Sequence, residues 1–466
     1  MSSHVPERPR AVLVGVQRPE ASDLEHATHL AELRRLVHTL GYETVATLSQ
    51  RRAQAGAGTV LGTGKLAELA RLTGGPGVVT SGAAVRTSKA RERWEAEAEA
   101  EATAAAADDA DSPDEEGAAA APQLVPGEKP TVVVVDHELS PSQLRNLEKA
   151  TGALVLDRTG VIVDIFHRHA RSREARMQVE IARLKYLSPR LRESAGRSER
   201  QQGQGAGDSA VELDRRKIRD RLAELNEGLA AVKRDQDHRR FARRDQLRVA
   251  LVGYTNAGKS SLMRALTGSD VLVADRLFAT LDTTVRALQP ESRPRVLVSD
   301  TVGFLRQLPH DLVASFRSTL DEALEASLLL YVVDASDPTC EEQLDVTKAV
   351  LRDIGAAEVP SLLLLNKVDR LDEPARRALG ERFPGAMLLS AHAPGDVAAL
   401  RQAVLDFFEA QMVEAELVIP YASQGRIGEV YESARVLSET CDEEGRCVRV
   451  RSTPGAIAKL VRSFQA

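Results

Sequence analysis

Leu247–Leu262 reads LRVALVGYTNAGKSSL, and its two halves answer different physical demands. LRVALVG is a near-continuous apolar run, as a strand buried on both faces requires. Gly253-Tyr254-Thr255-Asn256-Ala257-Gly258-Lys259-Ser260 matches GxxxxGK[ST], and the helical stretch Leu262–Leu266 follows. The glycines let backbone N–H groups turn inward around phosphate oxygens, and the start of the helix adds a favourable field. Lys259 supplies a point charge to the β and γ phosphates, and Ser260 offers a hydroxyl to Mg²⁺. Strand, phosphate loop and helix in this order open a nucleotide-binding α/β domain.

Downstream, apolar strands end in polar residues of fitting chemistry. After Arg295–Ser299 comes Asp300-Thr301-Val302-Gly303, where Asp300 is placed to hold Mg²⁺ through a water and the Gly303 N–H to sense the γ phosphate. After Leu362–Leu365 comes Asn366-Lys367-Val368-Asp369. Asp369 can accept two hydrogen bonds from guanine N1–H and the exocyclic amine. Adenine offers neither donor, so it would leave the carboxylate unpaired. After Met387–Leu389 comes Ser390-Ala391, where a backbone N–H would meet guanine O6. DxxG alone is weak, but four such motifs in order at strand ends point to a guanine nucleotide, GTP or GDP, with Mg²⁺ as its cofactor.

Between the first two motifs lies Phe278-Ala279-Thr280-Leu281-Asp282-Thr283-Thr284, where a Thr is needed to reach Mg²⁺ and the γ phosphate. Thr280 is the first choice and Thr284 the second. Candidate metal ligands are therefore Ser260, Thr280 and, through water, Asp300; the candidate catalytic set is Lys259, Thr280, Gly303 and Phe304. Phe304 stands where many GTPases carry a Gln that orients the attacking water, and a phenyl ring cannot do this. Unassisted hydrolysis is expected to be slow, with a partner completing the site.

Working outward, LRVALVG, RVLVSD, LLLYVVD, SLLLLN and AMLLS give five strand candidates alternating with helical stretches from Arg248 to about Ala410. That is the pattern of a mostly parallel sheet with helices on both faces. N-terminal to it, Met177, Ile181 and Leu184 make one helical stripe, which Ser188-Pro189 is expected to stop. Val211, Ile218, Leu222, Leu225, Leu229 and Val232 make a second, at coiled-coil spacing. Joined by the Gly-rich Ser194–Ser209, the two suggest an antiparallel helical hairpin. Its outer faces carry Arg168, Arg171, Arg173, Arg176, Arg183, Lys185, Arg215, Arg216, Lys217, Arg219 and Arg221, extended by Arg239, Arg240, Arg243 and Arg244. This concentration of charge favours a nucleic-acid contact over a merely solvated face.

Residues 10 to 80 alternate β/α: strand Ala11–Val16, helix Leu24–Leu40, strand Thr44–Leu48, and Gly62-Thr63-Gly64-Lys65 opening a helix through a tight turn. Strand Thr131–Asp136, a helix near Ser140–Ala150 and strand Ala153–Asp157 follow. EAELVIPY and RCVRVRS are strands of a C-terminal appendage. The reading is thus a multidomain α/β protein. An N-terminal α/β domain spans 1–166 and contains an acidic, solvated insertion at 91–123. A basic helical hairpin spans 167–246, a nucleotide-binding domain 247–410 and a small α+β domain 411–466.

The 466 residues exceed what one core holds, and with only 3% aromatics the cores rest on Val, Leu, Ile and Ala. The net charge of −6 is misleading, because ten carboxylates between Glu95 and Glu116 exceed it and leave the rest mildly basic. Cys340, Cys441 and Cys447 form no CxxC; Cys441 and Cys447 could pair, but an odd number suits a reducing, cytoplasmic setting better than a disulfide framework. No apolar run reaches the ~18 residues of a membrane span, and no signal-peptide pattern opens the chain.

GYTNAGKSSL, LFATLDTT, DTVGFLRQLPHDLVASF, NKVD and SA together resemble the HflX family of translational GTPases, and so do DRTGVIVDIFHRHARSREARMQVEIARLKYLSPRL and VELDRRKIRDRL. The resemblance covers nearly the whole chain apart from the acidic insertion. It implies a Ras-like P-loop G domain behind an N-terminal α/β domain and helical hairpin. It also implies binding to the large ribosomal subunit and its rRNA, ribosome-stimulated GTP hydrolysis, splitting of stalled or hibernating ribosomes, and a hydrophobic residue where Phe304 stands. For Gly62–Lys65, a second nucleotide site has been suggested in the family. One departure stands out: the hairpin loop usually reads like GGxGxRGPGE, whereas here it is SAGRSERQQGQGAGDS, with Arg197 and Arg200 as the remaining basic residues. Three readings stay open: a ribosome-activated GTPase that remodels ribosomes, a GTP-controlled module that occupies a subunit without splitting, and a switch whose hairpin engages a protein. A free monomer is expected in each.

Overall fold

The apolar runs of the sequence become parallel strands of two sheets. The computed structural model describes residues 9–52, 58–79, 129–195, 207–242, 246–268, 284–306, 322–442 and 445–465, without the side chains of 191–195, 207–212, 233, 235–242 and 465. The acidic insertion, Phe278–Thr283, Arg197, Arg200, Arg243 and Arg244 lie outside the described residues, as do the side chains of Arg239 and Arg240. Two compact units emerge: Met1–Leu30 with Gly41–Asp157, and Ala31–Leu40 with Arg158–Ala466.

In the first unit, β1 (Arg10–Gln17), β2 (Glu43–Arg51), β3 (Val132–Val135) and β4 (Leu154–Asp157) form a parallel sheet of order β2-β1-β3-β4. All four valines of β3 are buried, as a parallel strand covered on both faces demands. Val12, Val14, Val133 and Val135 pack with Leu66, Leu69 and Leu147 from α2 (Thr63–Thr73) and α3 (Pro141–Thr151). A reciprocal capping box between Ser140 and Gln143 starts α3. Gly62–Lys65 opens α2 as expected, where the Gly62 N–H donates to Gln50 Oε1 and Lys65 pairs with Glu68. Helix α1 (Asp23–Thr39) begins in this unit, and its second half belongs to the other.

The second unit opens with α4 (Arg158–His169), buried along most of its length. Next come α5 (Arg173–Ala195) and α6 (Gly207–Ala242). Gly228 faces Met177 and Arg221 bridges to Glu180 at 2.8 Å, so the pair runs antiparallel. Pro189 does not stop α5, contrary to the expectation; the helix carries it internally. Pro189 removes only the N–H that would reach Lys185 O; next to it the Arg190 guanidinium lies over the Tyr186 ring and donates from Nη1 to Tyr186 O at 2.6 Å. Arg221 also departs from expectation, since its guanidinium serves the interhelix bridge.

The nucleotide-domain sheet has order β10-β9-β8-β5-β7-β6, from β5 (Leu247–Gly253), β6 (Thr284–Ala287), β7 (Val296–Asp300), β8 (Leu328–Asp334), β9 (Ser361–Asn366) and β10 (Met387–Leu388). All pairs are parallel except β6 with β7. Edge strand β6 was missed because TVRA is short and only half-buried, with no apolar run to reveal it. Leu251, Val298, Leu330 and Leu364 share one core with Leu262 and Leu266 of α7 (Lys259–Thr267), and with Leu400 and Phe408 of α10 (Pro394–Glu409). Helices α8 (Cys340–Asp353) and α9 (Glu373–Arg382) complete the domain. The last part is an antiparallel sheet, β11-β13-β12, of Val413–Pro420, Gly445–Ser452 and Arg435–Cys441, with α11 (Ile427–Ser433) and α12 (Pro454–Gln465). The largely polar and exposed β12 also escaped the sequence reading. All three cysteines are free, and among the described residues no helix is long and apolar enough to cross a membrane.

Candidate nucleotide-binding site

The site grows from the C-terminal ends of β5, β7, β9 and β10, the edge where ligands sit in open parallel sheets. At Gly253 a Cβ would lie 2.1 Å from Val332 O, so the chain leaves β5 only through glycine. The turn uses left-handed backbone at Asn256 (φ 61°) and Gly258 (φ 98°), and a Cβ on Gly258 would strike Asn366 Nδ2 at 2.2 Å. No side chain caps α7, which leaves its first N–H groups for a phosphate.

Buried Lys259 donates from Nζ to Gly253 O at 3.0 Å and Tyr254 O at 2.8 Å. Two of its three donors therefore hold the ammonium inside the loop. Burial pulls its pKa down to about 8, against the attraction of Asp300. Ser260 Oγ donates to Asp300 Oδ2 at 2.7 Å, so both predicted metal ligands of the described chain stand together. Hard oxygens of a hydroxyl and a carboxylate fit the preference of Mg²⁺. Thr301 Oγ1 donates to Leu251 O and Val302 is buried, which ties the Asp300–Gly303 segment to β5. Phe304 is buried to 2% exposure, and its backbone is tied to the loop: the Thr255 N–H donates to Phe304 O at 2.8 Å and the Phe304 N–H to Gly253 O at 3.1 Å.

At the base end, Asn366 Nδ2 donates to Ala257 O at 2.8 Å, while its Oδ1 accepts the Ala391 N–H at 3.1 Å. Lys367, in left-handed backbone, donates from Nζ to Asn256 O and Asp334 Oδ2, both at 2.6 Å. Val368 is buried and Asp369 exposed, on a short 3-10 turn. A hydrogen bond from Ser390 holds the Asp369 carboxyl below its ordinary pKa. The Ser390 N–H donates to Asp396 Oδ2 at 2.8 Å. Both amides of the Ser390-Ala391 pair thus serve side chains, and guanine O6 would have to share the Ala391 N–H with Asn366.

Three of the sequence motifs, at 253–260, 300–303 and 366–369, and the Ser390-Ala391 pair are brought together. Thr284 opens β6 opposite Asp300, whereas Thr280 lies outside the described residues. Asp334 and Asp396 were missed. Asp334 had a usable signal, since it ends the apolar run LLLYVVD as Asp300 ends RVLVSD. Asp396 had none, because it sits in the first turn of α10 and meets Ser390 only in the fold.

Comparisons with known proteins point to one family. Family models match as "GTP-binding GTPase N-terminal" over 27–92 and 117–167, "GTP-binding GTPase Middle Region" over 169–243 and "50S ribosome-binding GTPase" over 248–367. GTPase HflX of Gluconacetobacter diazotrophicus is 67% identical over 462 residues, covering 99% of each chain. The chain belongs to the HflX family of GTPases. The Escherichia coli HflX is 40% identical over 324 residues, 68% of this chain and 76% of its own. A crystal structure of a GTP-binding protein from Sulfolobus solfataricus with GDP covers 85% of the chain at 21% identity and a TM-score of 0.42. As an HflX GTPase, the chain binds and hydrolyses GTP, and its α/β multidomain architecture is that expected from the sequence.

Proposed function

We propose that this HflX GTPase is switched on by the large ribosomal subunit and uses GTP to remodel or split stalled ribosomes. The observation that carries the reading is the α5–α6 hairpin: Ile181 and Leu225 are buried in its seam, while Arg173, Arg176, Arg183, Lys185, Arg216 and Arg219 are exposed. Such a surface fits the phosphates of rRNA, where released counterions drive binding. The family model's description as ribosome-binding supports the same partner. Residues 1–166, 167–246, 247–410 and 411–466 would act as N-terminal domain, hairpin, G domain and C-terminal domain. A monomer in the cytoplasm suits that partner.

At the reaction centre, Lys259 binds the terminal phosphates and the Gly303 N–H meets the γ phosphate. Ser260, Asp300 and Thr280 would hold Mg²⁺, which when bound neutralises charge on the β and γ phosphates. Asp369 reads the guanine edge. Phe304, with its ring in the core, cannot orient a water, so the ribosome must complete the site. Large subunits should raise GTP turnover by at least ~10-fold, about 1.4 kcal/mol of barrier. A fast rate indifferent to subunits would end this reading. The departure at Ser194–Ser209 from the family's Arg-Gly-Pro-Gly-Glu loop favours a second reading, binding without splitting. Light scattering of 70S particles after addition of protein and GTP separates the two.

A further inference from the structure

Tyr254, the second residue of the phosphate loop, is buried to 5% exposure, and Glu32, the carboxylate that its hydroxyl meets, is buried with it. Its hydroxyl donates to Glu32 Oε2 at 2.8 Å and accepts the backbone N–H of Arg306 at 2.9 Å. The other Glu32 oxygen is paired with Arg158 Nη2 at 2.5 Å, and this ion pair is about nine-tenths buried or more on both sides. Glu32 lies in the half of α1 that belongs to the same compact unit as the loop, and Arg158 opens α4 of that unit. Burial and the adjacent carboxylate push the phenol far above its ordinary pKa, so it keeps its proton and goes on donating to Glu32. Its lone pair is thereby aimed at the Arg306 N–H.

Arg306 lies three residues beyond Gly303, and between them Phe304 is zipped to the loop by its two backbone hydrogen bonds. The segment is held close. A Cβ on Gly303 would stand 2.7 Å from Thr255 Cγ2, 2.8 Å from Thr255 Cα and 3.0 Å from Lys259 Nζ. Gly303 therefore stands beside Lys259, where one terminal phosphate could accept from both, and a diphosphate has no group to meet its N–H.

We infer that Tyr254 is a positioning residue: its hydroxyl, oriented by the Glu32–Arg158 pair, holds Gly303–Arg306 against the phosphate loop and so sets the preference between GTP and GDP. This rests on the reading of Gly303 as the terminal-phosphate sensor. Tyr254→Phe keeps the ring in its core and deletes only the hydroxyl. The test titrates the full-length protein with fluorescent GDP and a fluorescent non-hydrolysable GTP analogue. In Tyr254→Phe, which loosens the segment that carries Gly303, the ratio of the two dissociation constants should shift about tenfold toward GDP, or about 1.4 kcal/mol, the upper end for one hydrogen bond between neutral groups. Glu32→Gln should shift it the same way by less. The Tyr254→Phe/Glu32→Gln double variant should show less than the sum of the two single shifts, since both changes act on Arg306, through the hydroxyl and through Arg158, whose Nη2 reaches Arg306 O at 3.4 Å. An unchanged ratio in Tyr254→Phe, a parallel loss of both nucleotides, or fully additive single effects would overturn the proposal. A wild type that bound neither nucleotide would overturn the reading of the site and this proposal with it.

Discussion

The two ends of the nucleotide site are built in different ways. At the base end, side chains from one loop grip the backbone of another: Asn366 holds Ala257 and Ala391, Lys367 holds Asn256 and Asp334, and Asp396 holds Ser390. Each tie satisfies a buried or half-buried polar group, so breaking one leaves a partner without a bond. At the terminal-phosphate end the ties converge on Phe304 and Arg306: two backbone hydrogen bonds to the first, and the Tyr254 hydroxyl, Arg158 and Glu342 on the second. Releasing those two residues would free the segment that carries Gly303, whereas the base-end ties are spread over several loops. Under the proposed reading, that contrast puts movement on the γ-phosphate side.

The most severe way to break that contrast is Lys259→Ala. The ammonium serves both ends of the loop, through Gly253 O and Tyr254 O and through the phosphates. Affinity for GTP and GDP should fall by about a hundredfold or more, roughly 2.7 kcal/mol, in fluorescent nucleotide titrations. Unchanged binding would remove the loop from the site altogether.

Asn366→Ala sharpens the comparison. It strips a partner from Ala257 O and from the Ala391 N–H, at about 1–3 kcal/mol for an unsatisfied buried group. Both nucleotides should weaken about tenfold and in parallel. A selective loss of the GTP analogue would mean that the base end also senses the γ phosphate.

A narrower change is Asp369→Asn. The donor pattern at the base edge reverses, so GTP should weaken by several-fold to tenfold while xanthosine triphosphate gains; equal GTP affinity in both proteins would refute the assignment. The wild-type carboxyl is held below its ordinary pKa, so its charge is present above that depressed value and is lost only as pH falls through it. The ratio of wild-type to Asp369→Asn affinity for GTP should therefore stay flat from pH 8 down to about 5, and a ratio that falls already near pH 6 would contradict a carboxyl held at or below its ordinary pKa.

The smallest expected effect on nucleotide binding is none. Replacing Arg173, Arg176 and Arg219 with Ala should leave GTP affinity unaltered, since these exposed residues lie on α5 and α6. Subunit affinity should drop, and its log–log salt slope should flatten by roughly one unit or a little less per lost phosphate contact. A changed nucleotide affinity would show that the hairpin and the site are coupled.

Much of this arrangement was legible before any coordinates. The strands β5, β7, β8 and β9 announce themselves because burial on both faces demands uninterrupted Val and Leu. The phosphate loop, Asp300, Asn366 and Asp369 were found because each follows such a run. Elements without that signature were lost: β6 and β12 are short or polar edge strands whose stability comes from a neighbour's backbone. Pro189 misled because the local rule ends a helix at the lost N–H, whereas the 23-residue α5 carries the proline internally.

By itself, the order of apolar runs and polar strand ends pointed to a GTP-binding α/β domain, and the helical period to a hairpin. These are local facts, carried by the period and chemistry of contiguous residues. Only the tertiary structure decided that Glu32 and Arg158 meet Tyr254, that Asp396 holds Ser390, that Arg221 faces its partner helix, and that Gly303 is pressed against Thr255. Glu32 and Tyr254 are 222 residues apart. A carboxylate in the middle of α1 looks like any solvated charge until the fold removes its water and leaves it two partners. Burial is a property of the packed chain, and no window of sequence contains it.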